Sequence, residues 1–294
     1  MSTEGASTTL VIAGVDGSED GLRAARFAAG QAKVRGADLL ILHAVDDAAV
    51  AGAWGVVYDP TALQEAGQVV VDEARAVAID GGLDESRVKG EVVLGNPAAI
   101  LADRSATADL IVVGRRATSG LQRMFVGSTS VAVSGMATCP VMIISQAANP
   151  SPVGDKHRVA VAVGPQSTGT KALCFGFQQA QLYESELVVV TVAPSMPAGA
   201  TGGYKLTDES MKHVIDEADR RLSEVIGPLT AQFPTVSVSQ KVLTGQPVDE
   251  LVNLSAEVDE LVVGMKKHPI LGWTPGGVTR GIMAHARCPL AIVH

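Results

Sequence analysis

DLIVVGRRATSGLQRMFVGSTSVAVSGMATCP, residues 109–140, decides the fold, because the chain repeats it as DELVVGMKKHPILGWTPGGVTRGIMAHARCP at 259–289. Each copy runs from an acidic residue through an apolar strand to a glycine, basic residues, a second glycine, a helix and Cys-Pro. Gly114 aligns with Gly264 and Gly127 with Gly277, an offset of 150 in both pairs (264 − 114 and 277 − 127). A strand, a glycine loop and a helix start together form a phosphate cradle. The first copy has Ser128 after its second glycine, and the second has Val278. One working site and one degenerate copy are expected.

Outward from these stretches the chain reads as two turns of one cycle. In the first, TLVIAGV (9–15), DLLILHAV (38–45), a run near 87–94, DLIVV (109–113) and CPVMIIS are the strands. Helices are expected over about 19–35 and 61–80, after Gly95-Asn96-Pro97, and from Ser128, with Ser18 and Ser128 as N-caps. AANPSPVGDK (147–156) has the Pro, Gly and small polar content of a linker. The cycle then restarts with RVAVAV, ELVVVTVA, VSVSQKVL, ELVVG and PLAIV, and Gly245-Gln246-Pro247 echoes Gly95-Asn96-Pro97. The expected domains are 1–146 and 157–294. Each is an open five-stranded parallel α/β sheet with helices on both faces, because apolar strands alternating with helices require right-handed crossovers.

Composition narrows the function. The 294 residues suit two domains, and 47% apolar content fills two cores. A net charge of −8 disfavours nucleic acid and anionic membranes as partners. With 3% aromatic residues, a bound base meets aliphatic walls and backbone amides rather than a stacking platform. Three cysteines without paired spacing suggest no disulfide framework and fit a cytoplasmic setting. Cys139 and Cys288 read as small core residues. The first ten residues lack the order of a signal peptide, and no apolar run reaches membrane-spanning length.

Ligands of such sheets bind beyond the carboxyl ends of the strands, where strand order reverses. There the first half brings together Asp16, Ala44 and the loop from Gly114 to Ser128, with Arg115, Arg116 and Arg123 as added positive charge. Asp16 is open to two readings: an acceptor for ribose or an amine, or a cap for the first helix.

The chain resembles the universal stress protein family over nearly its whole length, as two tandem copies. The resemblance rests on VDGS at 15–18, LHAV at 42–45, the glycine loop and Cys-Pro-Val at 139–141. Nucleotide-binding members carry Gly, two residues, Gly, nine residues, Gly, then Ser or Thr. Here Gly114, Gly127 and Ser128 match, while Ala117 replaces the middle glycine. In the second half Gly264 and Gly277 remain, Lys267 takes the middle place and Val278 the last, and Gly164 stands where Asp16 stands in the first.

The resemblance implies ATP or AMP in the first half, with Mg²⁺ carried by the phosphates. It puts Asp16 and the Ala44 backbone near ribose and adenine, and Gly114, Arg116, Ala117, Gly127, Ser128 and Thr129 around the phosphates. The degenerate second site would comprise Gly264, Lys267, Gly277 and Thr279, with Thr279 the candidate for the missing hydroxyl. Hydrogen bonds to charged groups contribute about 1.5–3 kcal/mol each, so losing two weakens binding by roughly two to four decades. Alanine at 117 costs about 1–2 kcal/mol if the backbone there is left-handed.

Three functions follow. The first is a nucleotide-binding stress-response regulator that signals to a protein partner. The second is a ligand-free interaction protein that forms homo-oligomers through edge strands 142–145 and 291–293. The third is an adenylyl-transferring enzyme, disfavoured because neither a HIGH-type nor an SGGxD-type loop occurs. The loops 46–60 and 194–205 are the expected places for chain-specific recognition.

Overall fold

In each half, β-branched runs form parallel strands that amphipathic helices cover. The computed structural model describes residues 9–46, 59–115, 126–146, 154–165, 167, 169–194, 208–265, 267–268, 272–273 and 275–294. In the first half, β1 (Leu10–Val15), α1 (Glu19–Arg35), β2 (Asp38–Val45), α2 (Pro60–Asp80), β3 (Val88–Leu94), α3 (Pro97–Arg104), β4 (Leu110–Gly114), α4 (Ser128–Met136) and β5 (Val141–Ile144) follow in order. The second half runs β6 (Arg158–Ala162), α5 (Thr170–Leu182), β7 (Glu186–Pro194), α6 (Asp208–Thr230), β8 (Val238–Gly245), α7 (Pro247–Leu254) and β9 (Glu260–Gly264). A short antiparallel pair, β10 (Lys267–His268) and β11 (Gly272–Trp273), then precedes α8 (Gly277–His285) and β12 (Leu290–Val293). The chain divides into two compact units, residues 1–152 with 267–275, and residues 153–266 with 276–294.

The first unit orders its strands β3-β2-β1-β4-β5, and the second β8-β7-β6-β9-β12, every pair parallel. Each is therefore the open parallel sheet expected, with its order reversing between β1 and β4, and between β6 and β9. In the first unit α1 packs with α2 and α3 with α4, one pair on each face, and the second pairs α5 with α6 and α7 with α8. Central strands carry the core. Ile12, Ile111 and Val112 are fully buried in one sheet, and Val161, Leu261 and Ala291 in the other. At about 25 cal/mol per Å² of apolar surface removed from water, this burial is the main force closing the layers.

Side chains repeat along with the backbone. Asp109 Oδ2 accepts from Leu10 N at 2.7 Å, and Asp259 Oδ2 from Arg158 N at 3.1 Å. The acid that opens each quoted stretch thus fastens the first strand of its own sheet. Ser105 Oγ accepts from Thr138 N and Ser255 Oγ from Arg287 N, tying each third crossover to the turn before Cys-Pro. Gly95 and Gly245 have φ of 131° and 155°, a region closed to other residues, and each is followed by a helix with proline in its first turn. Cys139 and Cys288 are buried and unpaired, and burial raises the Cys139 thiol to about 12 and pushes Cys288 upward too. Among the described residues no helix is long and apolar enough to cross a membrane, and no cluster of potential metal ligands occurs.

Candidate functional site

The reversal between β1 and β4 opens a cleft of about 220 Å³ at the carboxyl ends of the strands. Gly14, Val15 and Asp16 come to it from β1, Leu42 and Ala44 from β2, and Val113 and Gly114 from β4. Pro97 and Leu101 of α3 close one wall, and Gly127, Thr129 and Ser130 at the start of α4 another. Five of the expected site residues therefore meet in one place: Asp16, Ala44, Gly114, Gly127 and Thr129.

Asp16 is exposed at the end of β1. Its Oδ1 accepts from Ser18 N at 3.0 Å and Ser18 Oγ at 2.5 Å, while Ser18 Oγ in turn accepts from Gly21 N at 3.1 Å. Ser18 is the N-cap of α1, so Asp16 orients the cap and does not replace it. Among the described residues its Oδ2 has no partner and remains an acceptor at the cleft mouth.

The start of α4 corrects two expectations. Gly127, not Ser128, is the N-cap, and no side chain caps the helix. Ser128 is the first helical residue, exposed and outside the cleft lining. An uncapped first turn leaves amide donors and the positive end of the helix dipole at the cleft edge. The base of the glycine loop is pinned at both ends. Arg115 N donates to Ile144 O at 2.7 Å, Gly127 N to Arg115 O at 2.8 Å, and Ser130 Oγ to Gly114 O at 2.7 Å. Ser130 is the residue that sequence reasoning missed. Its signal was a third hydroxyl position, Ser128-Thr129-Ser130, placed to reach back to β4 from the first helical turn.

Gly114 has a packing role as well. A Cβ there would lie 2.7 Å from Asp20 C and 2.8 Å from Asp20 O, so its bareness lets α1 approach β4. The Arg115 residue is buried and is not part of the lining. Arg116, Ala117 and Arg123 lie outside the described residues, as do residues 47–58 and 195–205 of the expected recognition loops.

In the second unit the correspondence shifts by one residue. Arg280 N donates to Gly276 O as Val131 N does to Gly127 O, and α8 begins at Gly277 with Gly276 as its cap. Gly127 therefore pairs with Gly276 at an offset of 149, the same as Cys139 with Cys288. The loop between β9 and α8 is one residue shorter than its counterpart, which an alignment on glycines alone hides because 276 and 277 are both glycine. Thr279 accordingly stands at the place of Ser130, and Val278 at that of Thr129. Thr279 makes no bond to Gly264 O among the described residues. The Lys267 backbone lies in β10. Gly164 follows β6 where Asp16 follows β1, since Leu10 pairs with Asp38 and Arg158 with Glu186 in the same register.

The fold and this cleft define a class: a tandem parallel α/β protein with a cleft at the strand-order reversal of its first unit. Sequence comparison supplies the family. The universal stress protein family model matches residues 9–145 and again 156–294, and the chain belongs to that family. Universal stress protein Rv1996 of Mycobacterium tuberculosis (strain ATCC 25618 / H37Rv) is 30% identical over 300 residues, covering 96% of this chain and 94% of that protein. Universal stress protein Rv2005c of the same strain is 27% identical over 290 residues, covering 96% of each. Among solved structures, a universal stress protein from Archaeoglobus fulgidus DSM 4304 superposes with a TM-score of 0.69 at 18% identity, over 97% of this chain and 95% of that one. This last likeness is one of fold.

Proposed function

We propose that the first unit binds an adenine nucleotide, ATP or AMP, in the β1/β4 cleft, and that the chain acts as a cytoplasmic stress-response regulator through that binding. The observation that carries the reading is the pairing of a free acceptor with an uncapped helix start across one cleft. Asp16 Oδ2 suits a ribose hydroxyl. The first-turn amides of α4 suit phosphate oxygens, which need donors and a favourable dipole. Aliphatic Leu42, Leu101 and Val113 suit a base held by apolar contact. Ala44 contributes backbone at the base end, and Thr129 a hydroxyl at the phosphate end. Mg²⁺ travels with the triphosphate. The second unit, with Gly164 in place of the carboxylate, binds nucleotide far more weakly.

The test is calorimetric titration of Mg²⁺-ATP into the chain freed of co-purified nucleotide, beside Asp16→Ala. About one site per chain is expected, weakened at least tenfold in the variant, as a hydrogen bond to a charged group implies. A stoichiometry of two would overturn the silent second unit. One observation favours the ligand-free interaction protein instead: Gly114 is explained by its packing on α1 alone. No heat at millimolar ATP would decide for that reading, with homo-oligomers formed through 142–145 and 291–293 as its substance and sedimentation as its check.

A further inference from the structure

The second unit holds a larger cavity than the first. It shares with the first unit's cleft the positions of Val15, Asp16 and Ala44, here Val163, Gly164 and Val192, and extends from them under the helix. About 500 Å³ lies at the carboxyl ends of β6 and β7, under α6. Its lining comes from those strands, the turn after β6 and the helix, so it is separate from Gly264, Gly277 and Thr279. That volume falls within the range of small-molecule sites. Val163, Val192, Leu222 and Val225 make its walls apolar. At its inner surface sits Thr191, 5% exposed, whose Oγ1 has no hydrogen-bond partner.

The first unit shows how this space is otherwise filled. By strand register Thr191 stands at the position of His43, and Val163 at that of Val15. His43 Nδ1 donates to Val15 O at 2.7 Å, and the imidazole packs so closely that a Cβ on Gly67 of α2 would lie 3.0 Å from its ring. In the second unit Ala218, Leu222 and Val225 of α6 line the space. A small hydroxyl stands where the first unit has an imidazole, and the space stays open.

We propose that this cavity is a binding site for a neutral, mostly apolar small molecule that hydrogen-bonds Thr191 at its buried end. Buried hydroxyls in native structures are almost always paired. Water fills such a place poorly, because it needs two to four polar partners and the walls here are apolar. The rim argues against a charged ligand. Arg221 Nε donates to Glu217 Oε1 at 2.8 Å and its Nη1 to Pro165 O at 3.2 Å, and Glu224 accepts from Arg220, so these three charges are already engaged, with His213 the remaining titratable group of the lining. The inference is independent of nucleotide binding by the first unit.

The probe is N-phenyl-1-naphthylamine, which is uncharged, carries one N–H donor and brightens in apolar surroundings. Titrated into the full chain, it should give saturable fluorescence at one site per chain, undisturbed by saturating Mg²⁺-ATP. Ala218→Phe, on a half-buried helix position, should abolish it by filling the cavity. Thr191→Val keeps the shape, removes the hydroxyl and should weaken binding by about 2- to 10-fold. Circular dichroism confirms that each variant is folded, and Ala218→Leu replaces Ala218→Phe if it is not. Absence of binding, displacement by ATP, or undiminished binding in either folded variant overturns the proposal.

Discussion

At the scale of single residues, a glycine in a nucleotide-type loop has two possible reasons to be glycine, and neighbouring atoms separate them. Gly114 meets the backbone of Asp20, which cannot rotate aside, whereas the nearest atom to a Cβ on Gly264 is Ala172 Cβ at 3.4 Å. Gly114→Ala should therefore destabilise the first unit by about 1–3 kcal/mol through overpacking. Gly264→Ala should fall within about 0.5 kcal/mol of the parent. Urea unfolding of the two variants checks this, and equal losses would refute the packing role assigned to Gly114. Sequence reading identified Gly114 because the strand–glycine stretch repeats and Asp16 because it ends the first apolar strand, while Thr129 came from the family resemblance. Ser130 escaped it, since the run Ser128-Thr129-Ser130 does not tell which hydroxyl turns back to a carbonyl 16 residues earlier. Ser128 was misassigned as a cap because Ser is the stronger capping residue, yet the backbone enters the helix one residue sooner.

At the scale of elements, strands were more legible than helix ends. Buried parallel strands are continuous apolar runs, and few other structures share that signature. Helix starts depend on which residue leaves extended geometry, and adjacent glycines at 276–277 give no local cue. The exposed face of α6 shows a different control. Arg220 and Arg221 both donate to Glu217 and hold its carboxyl below the usual range. A carboxylate whose folded pKa lies under its unfolded value of about 4.3 contributes stability that is present above that pH. This contribution is lost as pH falls through the lowered folded value. Glu217→Gln should flatten the acid limb of the stability–pH curve below about pH 4.3 and leave stability at neutral pH little changed, because exposed pairs contribute little. Denaturant titrations at pH 3–7 measure it; an unchanged acid limb would show that the cluster is not coupled to folding.

At the scale of the whole molecule, the chain is a tandem whose halves share a fold and differ in their sites. If nucleotide binds the native first unit alone, Mg²⁺-ATP at a hundredfold excess over its Kd should stabilise that unit by about 2.7 kcal/mol. Scanning calorimetry should show one transition moving upward with ATP in the parent chain and moving about half as far or less in Asp16→Ala. An equal shift in the variant would place the nucleotide elsewhere. The sequence by itself determined the tandem repeat, the parallel α/β class and the convergence of Asp16, Ala44 and Gly114. Each of these follows from periodicity and from the rule that ligands lie where strand order reverses. Only the tertiary structure decided that Gly114 serves α1. Only it revealed that Thr191 opens a cavity where His43 closes one. These are facts of distance between residues remote in the chain, set by how closely helix and sheet pack, and no local pattern encodes them.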